Sequence, residues 1–169
     1  MSEFQRGLII TPGTEKQLGA YGLFRPSPAQ QQVLALPSGP LTARSADPDV
    51  LWVSFAAMCA TPREAGDYLA LADEFPSWVI DGVPSPEVQS AAGSAAAWRR
   101  FLDIVAALHG RDRLLFVVGA GPLDWEEAAR TAALPAEEGA VLARIAERLS
   151  VLRRVESDEE LEDESTAVC

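Results

Sequence analysis

Apolar positions change rhythm along the chain near Val50. Before it they come in short bursts, broken by Thr11-Pro12-Gly13, Arg25-Pro26-Ser27-Pro28, Pro37-Ser38-Gly39-Pro40 and Asp47-Pro48. Proline pre-sets φ and glycine frees it, so such clusters mark turns. Extended segments are expected between them at Leu8–Ile10, Val33–Leu36 and Leu41–Arg44, and Ser38-Gly39 predicts a hairpin joining the last two. From Val50 the runs lengthen. Val50–Phe55 reads as a strand of aromatic and β-branched residues. Thr61, Pro62 and Glu64 together predict a capped helix start, with Ala65, Tyr68, Leu69 and Ala72 on its buried face and Pro76 as its stop.

Trp78-Val79-Ile80 then predicts a short buried strand ended by Asp81-Gly82 and Pro84. A second helix is expected from Ser94 to about His109, its apolar stripe being Trp98, Phe101, Leu102, Val105 and Leu108, with Gly110 as its end. Leu114–Val118 is a strand by the same criteria. Gly119-Ala120-Gly121-Pro122 turns it towards a helix capped by Asp124 and Glu127. A last helix is expected from Glu137 to about Arg154. Strands alternating with helices after Val50 predict an α/β fold, helices packed on a mostly parallel sheet. The pattern divides the chain into a Pro/Gly-rich segment with short strands (residues 1–49), an α/β domain (50–155) and a tail (156–169).

Charge changes this picture only at the end. The formal net charge is -11, but seven acids crowd between Glu156 and Glu164 without a basic residue. Such a block predicts a disordered acidic tail on a mildly acidic body. Nucleic acid as a partner is disfavoured, since phosphate binding needs a basic stripe that this chain lacks. No apolar run approaches the ~20 residues that cross a bilayer, and Met1–Gln5 has no signal-peptide character, so a cytoplasmic address is expected. Cys59 and Cys169 suit a buried thiol and a terminal one, not a metal or disulfide framework.

Candidate chemistry is sparse. A phosphate loop needs GxxxxGK followed by Ser or Thr, and none occurs; Lys16, the only lysine, has no such context. Gly119-Ala120-Gly121 imitates the start of a dinucleotide loop, but its third glycine would fall at Asp124, whose carboxylate repels phosphate. Asp81 after an apolar strand resembles a magnesium-holding aspartate, and without a phosphate loop it reads as a strand-end turn. His109 is the sole histidine, so a histidine metal cluster is excluded, and no GxSxG elbow offers it a serine. No catalytic residue is assigned. Arg99 and Arg100 are the candidate site residues: pairing with Asp103 is the plainer reading, and a guanidinium against a partner's carboxylate or phosphate the sharper one.

The order of Phe55-Ala56-Ala57-Met58-Cys59, Pro62, Gly66-Asp67-Tyr68-Leu69, Ala72, Phe75, Asp81-Gly82-Val83-Pro84, Arg99-Arg100-Phe101-Leu102 and Leu108 resembles one family. Arg144, Arg148-Leu149 and Glu156-Ser157 continue it. These residues, over about 50–157, look like the C-terminal part of the ZapE-type cell-division ATPases, AAA+ P-loop enzymes with mitochondrial relatives. The resemblance implies ATP and magnesium as family cofactors and ATP hydrolysis coupled to division as the family activity. It also implies Walker A and B motifs in a half preceding this segment. Ala106 and His109-Gly110 depart from the acids the family carries there. The chain is thus expected to be a non-catalytic portion, complementing an ATP-binding half in trans, self-associating, or meeting the division machinery. Arg99 and Arg100 would sense nucleotide or touch a subunit. The alternative is a free-standing adaptor that docks partners through its acidic tail.

Overall fold

The computed structural model describes residues 7–86, 95–119, 121, 123–131, 136–150 and 152–156. Strand β1 (Gly7–Ile10) runs through a four-residue loop into helix α1 (Glu15–Ala20). A 3-10 turn at Pro28–Gln30 precedes the antiparallel hairpin of β2 (Gln32–Leu36) and β3 (Gly39–Ala43). Strands β4 (Ser45–Ala46) and β5 (Val50–Ser54) lead to α2 (Phe55–Cys59), α3 (Ala65–Glu74) and β6 (Ser77–Val83). Then come α4 (Ala95–Gly110), β7 (Leu114–Gly119), α5 (Trp125–Thr131), α6 (Ala136–Leu149) and β8 (Arg153–Val155).

The main sheet has the order β4-β5-β6-β7-β1-β8 and is parallel except where β4 meets β5. The α/β expectation therefore holds. Strand β1 sits inside this sheet, so the sequence break at residue 49 is not a break in the sheet. Alternation along the strands sorts the core into two layers. Ile9, Leu51, Val53, Trp78, Ile80, Leu115 and Val117 face helices α2 to α6. Ile10, Trp52, Val79, Val118 and Val155 face the other way, with Leu18 of α1. Right-handed crossovers explain the division. The connections β5→β6→β7→β8 all step one way across the sheet and place their helices on one face. The connection out of β1 steps the other way and puts α1 on the opposite face. Aromatic rings meet in the helix-covered layer: the Phe55 and Trp98 ring centroids lie 4.9 Å apart, and Phe101 stacks on Trp125 at 6.0 Å.

Several local expectations are corrected. The helix expected to be capped by Thr61 is capped at Glu64 instead, because Ser54 caps a separate short helix, α2, through the Ala57 amide, and the chain must leave it across residues 60–63. Asp67 Oδ2 accepts from the Glu64 amide at 2.9 Å and sets the start of α3. Its buried face is Tyr68, Leu71 and Ala72, while Leu69 is exposed. Gly110 is the last residue of α4, and the left-handed reversal falls on Asp112 (φ 53°). The last helix ends at Leu149, since Arg153–Val155 leave it to pair with β1. Helix α1 was not expected. The Ser94 helix start, Cys169 and the tail beyond Glu156 lie outside the described residues.

Two charged side chains pin the hairpin to the body. Arg63 donates to the carbonyls of Gly39 (3.3 Å), Pro40 (3.1 Å) and Ala57 (3.2 Å), and Asp67 Oδ1 accepts from the Ser38 amide at 3.3 Å. Burial alone would raise the Asp67 carboxyl, but hydrogen bonds from Ser38 and the Glu64 backbone, with Arg63 close by, hold it below the usual carboxylate range. A depressed folded pKa means stability that is present above the unfolded value of about 3.9 and lost as pH falls through the folded value. Asp67→Asn should therefore be less stable than the parent chain at pH 7, and the gap should close below about pH 3.9. Paired urea titrations across that window check this; a gap independent of pH would remove the carboxylate's charge from the account.

Candidate functional site

Ligands of open α/β sheets collect outside the carboxyl ends of the strands, where neighbouring connections leave to opposite faces. Here that point lies between β1 and β7, whose chains depart to α1 and to α5. The loop after β1, Thr11-Pro12-Gly13-Thr14, has the strand–loop–helix setting of a phosphate loop. Lys16 stands in the first turn of α1, a context its sequence neighbourhood did not reveal.

The loop is closed by one side chain. Gln17 is fully buried, and its Oε1 accepts from the Gly13 amide at 2.9 Å and the Thr14 amide at 3.0 Å. Its Nε2 donates to the Thr11 carbonyl at 2.7 Å. Thr14 Oγ1 accepts from the Gln17 amide at 3.1 Å, which completes a reciprocal cap. The Gln17 carboxamide oxygen thus takes both the Gly13 and the Thr14 amide. The pattern Thr-x-x-Gln was the sequence signal for this cap. Gly13 has φ +82°, and a Cβ there would lie 2.5 Å from a Val118 methyl, so the loop is laid flat on the end of β7. Arg25 Nη2 clamps it from outside, donating to the Gly13 carbonyl at 2.8 Å.

A crevice beside the loop, about 320 Å³, is lined by Thr11, Leu123, Asp124, Glu126, Arg154 and Glu156. Its three carboxylates outnumber its one guanidinium, and that guanidinium donates to the Leu123 carbonyl at 2.7 Å. Asp124 Oδ1 accepts from the Glu127 amide at 2.9 Å, capping α5 as the sequence predicts.

Asp81 corrects a sequence expectation. It is not a strand-end turn: β6 continues to Val83, and Asp81 is buried within it. Its Oδ2 accepts from Trp52 Nε1 at 2.6 Å and pairs with Arg44 Nε at 2.6 Å. A buried carboxylate is costly without such partners, and both fall on Oδ2, leaving Oδ1 buried without a hydrogen bond. Finding them required the fold, because Arg44 reaches Asp81 only when the antiparallel β4 brings the chain back beside β5.

Arg99 and Arg100 reach different partners. Arg99 reaches Glu137 at 3.3 Å with both side chains well exposed, an arrangement worth little. Arg100 Nη1 donates to the Cys59 carbonyl at 2.7 Å and closes the end of α2. Those partners replace the expected Asp103. Burial pushes the Cys59 thiol far up, against a smaller opposing effect of Arg100, so it is a protonated, unreactive group. His109 Nδ1 lies 3.3 Å from Arg148 Nη1 at the α4–α6 junction. Among the described residues no group of His, Cys, Asp and Glu could hold a metal ion, and no helix is long and apolar enough to cross a membrane.

Fold and site together define a doubly wound α/β domain of the kind that carries a phosphate loop after its inner strand, here with that loop closed by its own glutamine. The family model of the AFG1-like ATPases matches residues 14–157, and the chain belongs to that family, which includes the ZapE-type ATPases. The match reaches well upstream of the segment whose residues carry the resemblance. Comparison with curated proteins and with solved structures gives no match.

Gln17→Ala should cost at least about 2 kcal/mol in chemical denaturation, since it leaves two amides and a carbonyl without partners. A loss under about 0.5 kcal/mol would show that water satisfies the loop equally well.

Proposed function

We propose that this chain is a non-catalytic member of the AFG1-like ATPase family, a protein-contact module that keeps the α/β scaffold and lacks its own ATP chemistry. The single observation behind this is the Gln17 carboxamide on the Gly13 and Thr14 amides. A phosphate would have to displace it, at the cost of the Thr11, Gly13 and Thr14 hydrogen bonds together. The residues present do not fit a magnesium-bound triphosphate. The crevice beside the loop is acidic, and Oδ2 of Asp81, buried in β6, is taken by Arg44 and Trp52.

Where the work of the family needs ATP, an ATP-binding polypeptide supplies it in trans. The partners of this chain are then proteins, that ATPase subunit or the division machinery served by ZapE-type members, and the place of work is the cytoplasm. The net charge of -11 favours protein partners over phosphate-rich ones. Purified chain incubated with magnesium ATP should release no more phosphate than a buffer blank. Release that scales with protein concentration would overturn the reading.

A further inference from the structure

In a chain where nearly a quarter of residues are charged, Pro26 to Ala43 contains no charged residue at all. The run includes both strands of the hairpin. Strand β2 pairs only with β3 among the described residues, so its outer edge presents backbone donors and acceptors to solvent. Leu34 and Leu36 point inward and pack on the main core, whereas Val33, 65% exposed, and Ala35 point out.

Proteins usually protect such edges with charge, proline or shortness. The ends of the main sheet follow that rule: β4 has two residues, and β8 has three, two of them arginine. Strand β2 has five residues and no charge, ending at the Pro37 turn. Nor is it loosely held, because Arg63 and Asp67 fix the hairpin turn to α2 and α3. An edge already held in place loses less entropy on pairing.

We propose that the β2 edge is a homotypic interface, at which a second copy of this chain adds its own β2 antiparallel about a two-fold axis through Leu34. Charge selects this occupant. A basic partner would be drawn to the acidic surface, whereas two equally acidic copies can approach closely only where neither carries charge. Centring on Leu34 places Val33 opposite Ala35 of the second copy and Gln32 opposite Leu36, with no like charges facing. The product is a four-stranded antiparallel ribbon, β3-β2-β2-β3. Five residues a side is a small contact, so association is weak and concentration-dependent. This proposal does not depend on the state of the loop after β1.

Sedimentation velocity on the full chain tests it. The parent protein should move from monomer towards dimer as concentration rises into the hundreds of micromolar. Added salt should strengthen the association by screening net repulsion. Val33→Lys/Ala35→Lys places four ammonium groups on one face of the ribbon and should hold the chain monomeric. Both positions are exposed, so circular dichroism and the thermal midpoint should stay at parent values and confirm that the variant is folded. A parent chain monomeric throughout would hand the edge to a different partner and overturn the proposal. Association equal in parent and variant would place the interface elsewhere and overturn it too.

Discussion

The position of β1 between β7 and β8 is the constraint from which the rest follows. One strand near the N-terminus must enter a parallel sheet whose other members arrive from far along the chain, and its exit must cross to the opposite face to keep its crossover right-handed. That exit puts α1 alone on one face and places the Thr11–Thr14 loop at the switch point. The sheet thereby makes a ligand position whatever the residues in the loop. Gln17 then determines what becomes of it. An amide side chain that both accepts and donates can satisfy two N–H groups and a carbonyl together, which neither a phosphate nor a carboxylate can do.

Arginine is the second recurring device. Arg25, Arg63, Arg100, Arg113 and Arg154 each donate to backbone carbonyls, at Gly13, at Gly39, Pro40 and Ala57, at Cys59, at Ala72 and at Leu123. Three of these carbonyls, those of Ala57, Cys59 and Ala72, belong to the last turns of α2 and α3, where no intrahelical donor remains. Arginine suits the task because its planar fork reaches several acceptors and keeps its charge when half-buried. The bias towards arginine over lysine, which sequence alone reads as composition, has structural uses here.

Elements with a long apolar period were legible. The stripe of Trp98, Phe101, Val105 and Leu108, the Leu114–Val118 run and the hairpin at residues 33–43 all appear near their expected places. Short elements were not. Helix α1 has too few residues for a period to emerge, and β8 looks like a continuing helix because Arg153 and Arg154 suit either state until β1 offers a partner. The candidate site was hidden for the same reason. The Gln17 cap is local and written in Thr-x-x-Gln, but its place at the end of the sheet depends on β7, where Gly13 meets Val118, and Asp81 takes its meaning from the return of β4 beside β5. The arginine pair, conspicuous in sequence, meets an exposed carboxylate and the end of a helix, 38 and 41 residues away.

The most direct test of the closed loop is to follow the amide resonances of Gly13 and Thr14 in the full chain while adding magnesium ATP. The account predicts two slowly exchanging amides whose shifts do not move as nucleotide is added. Saturable shifts centred on Gly13, Thr14 and Lys16 would contradict it, because the nucleotide would then have displaced the Gln17 carboxamide.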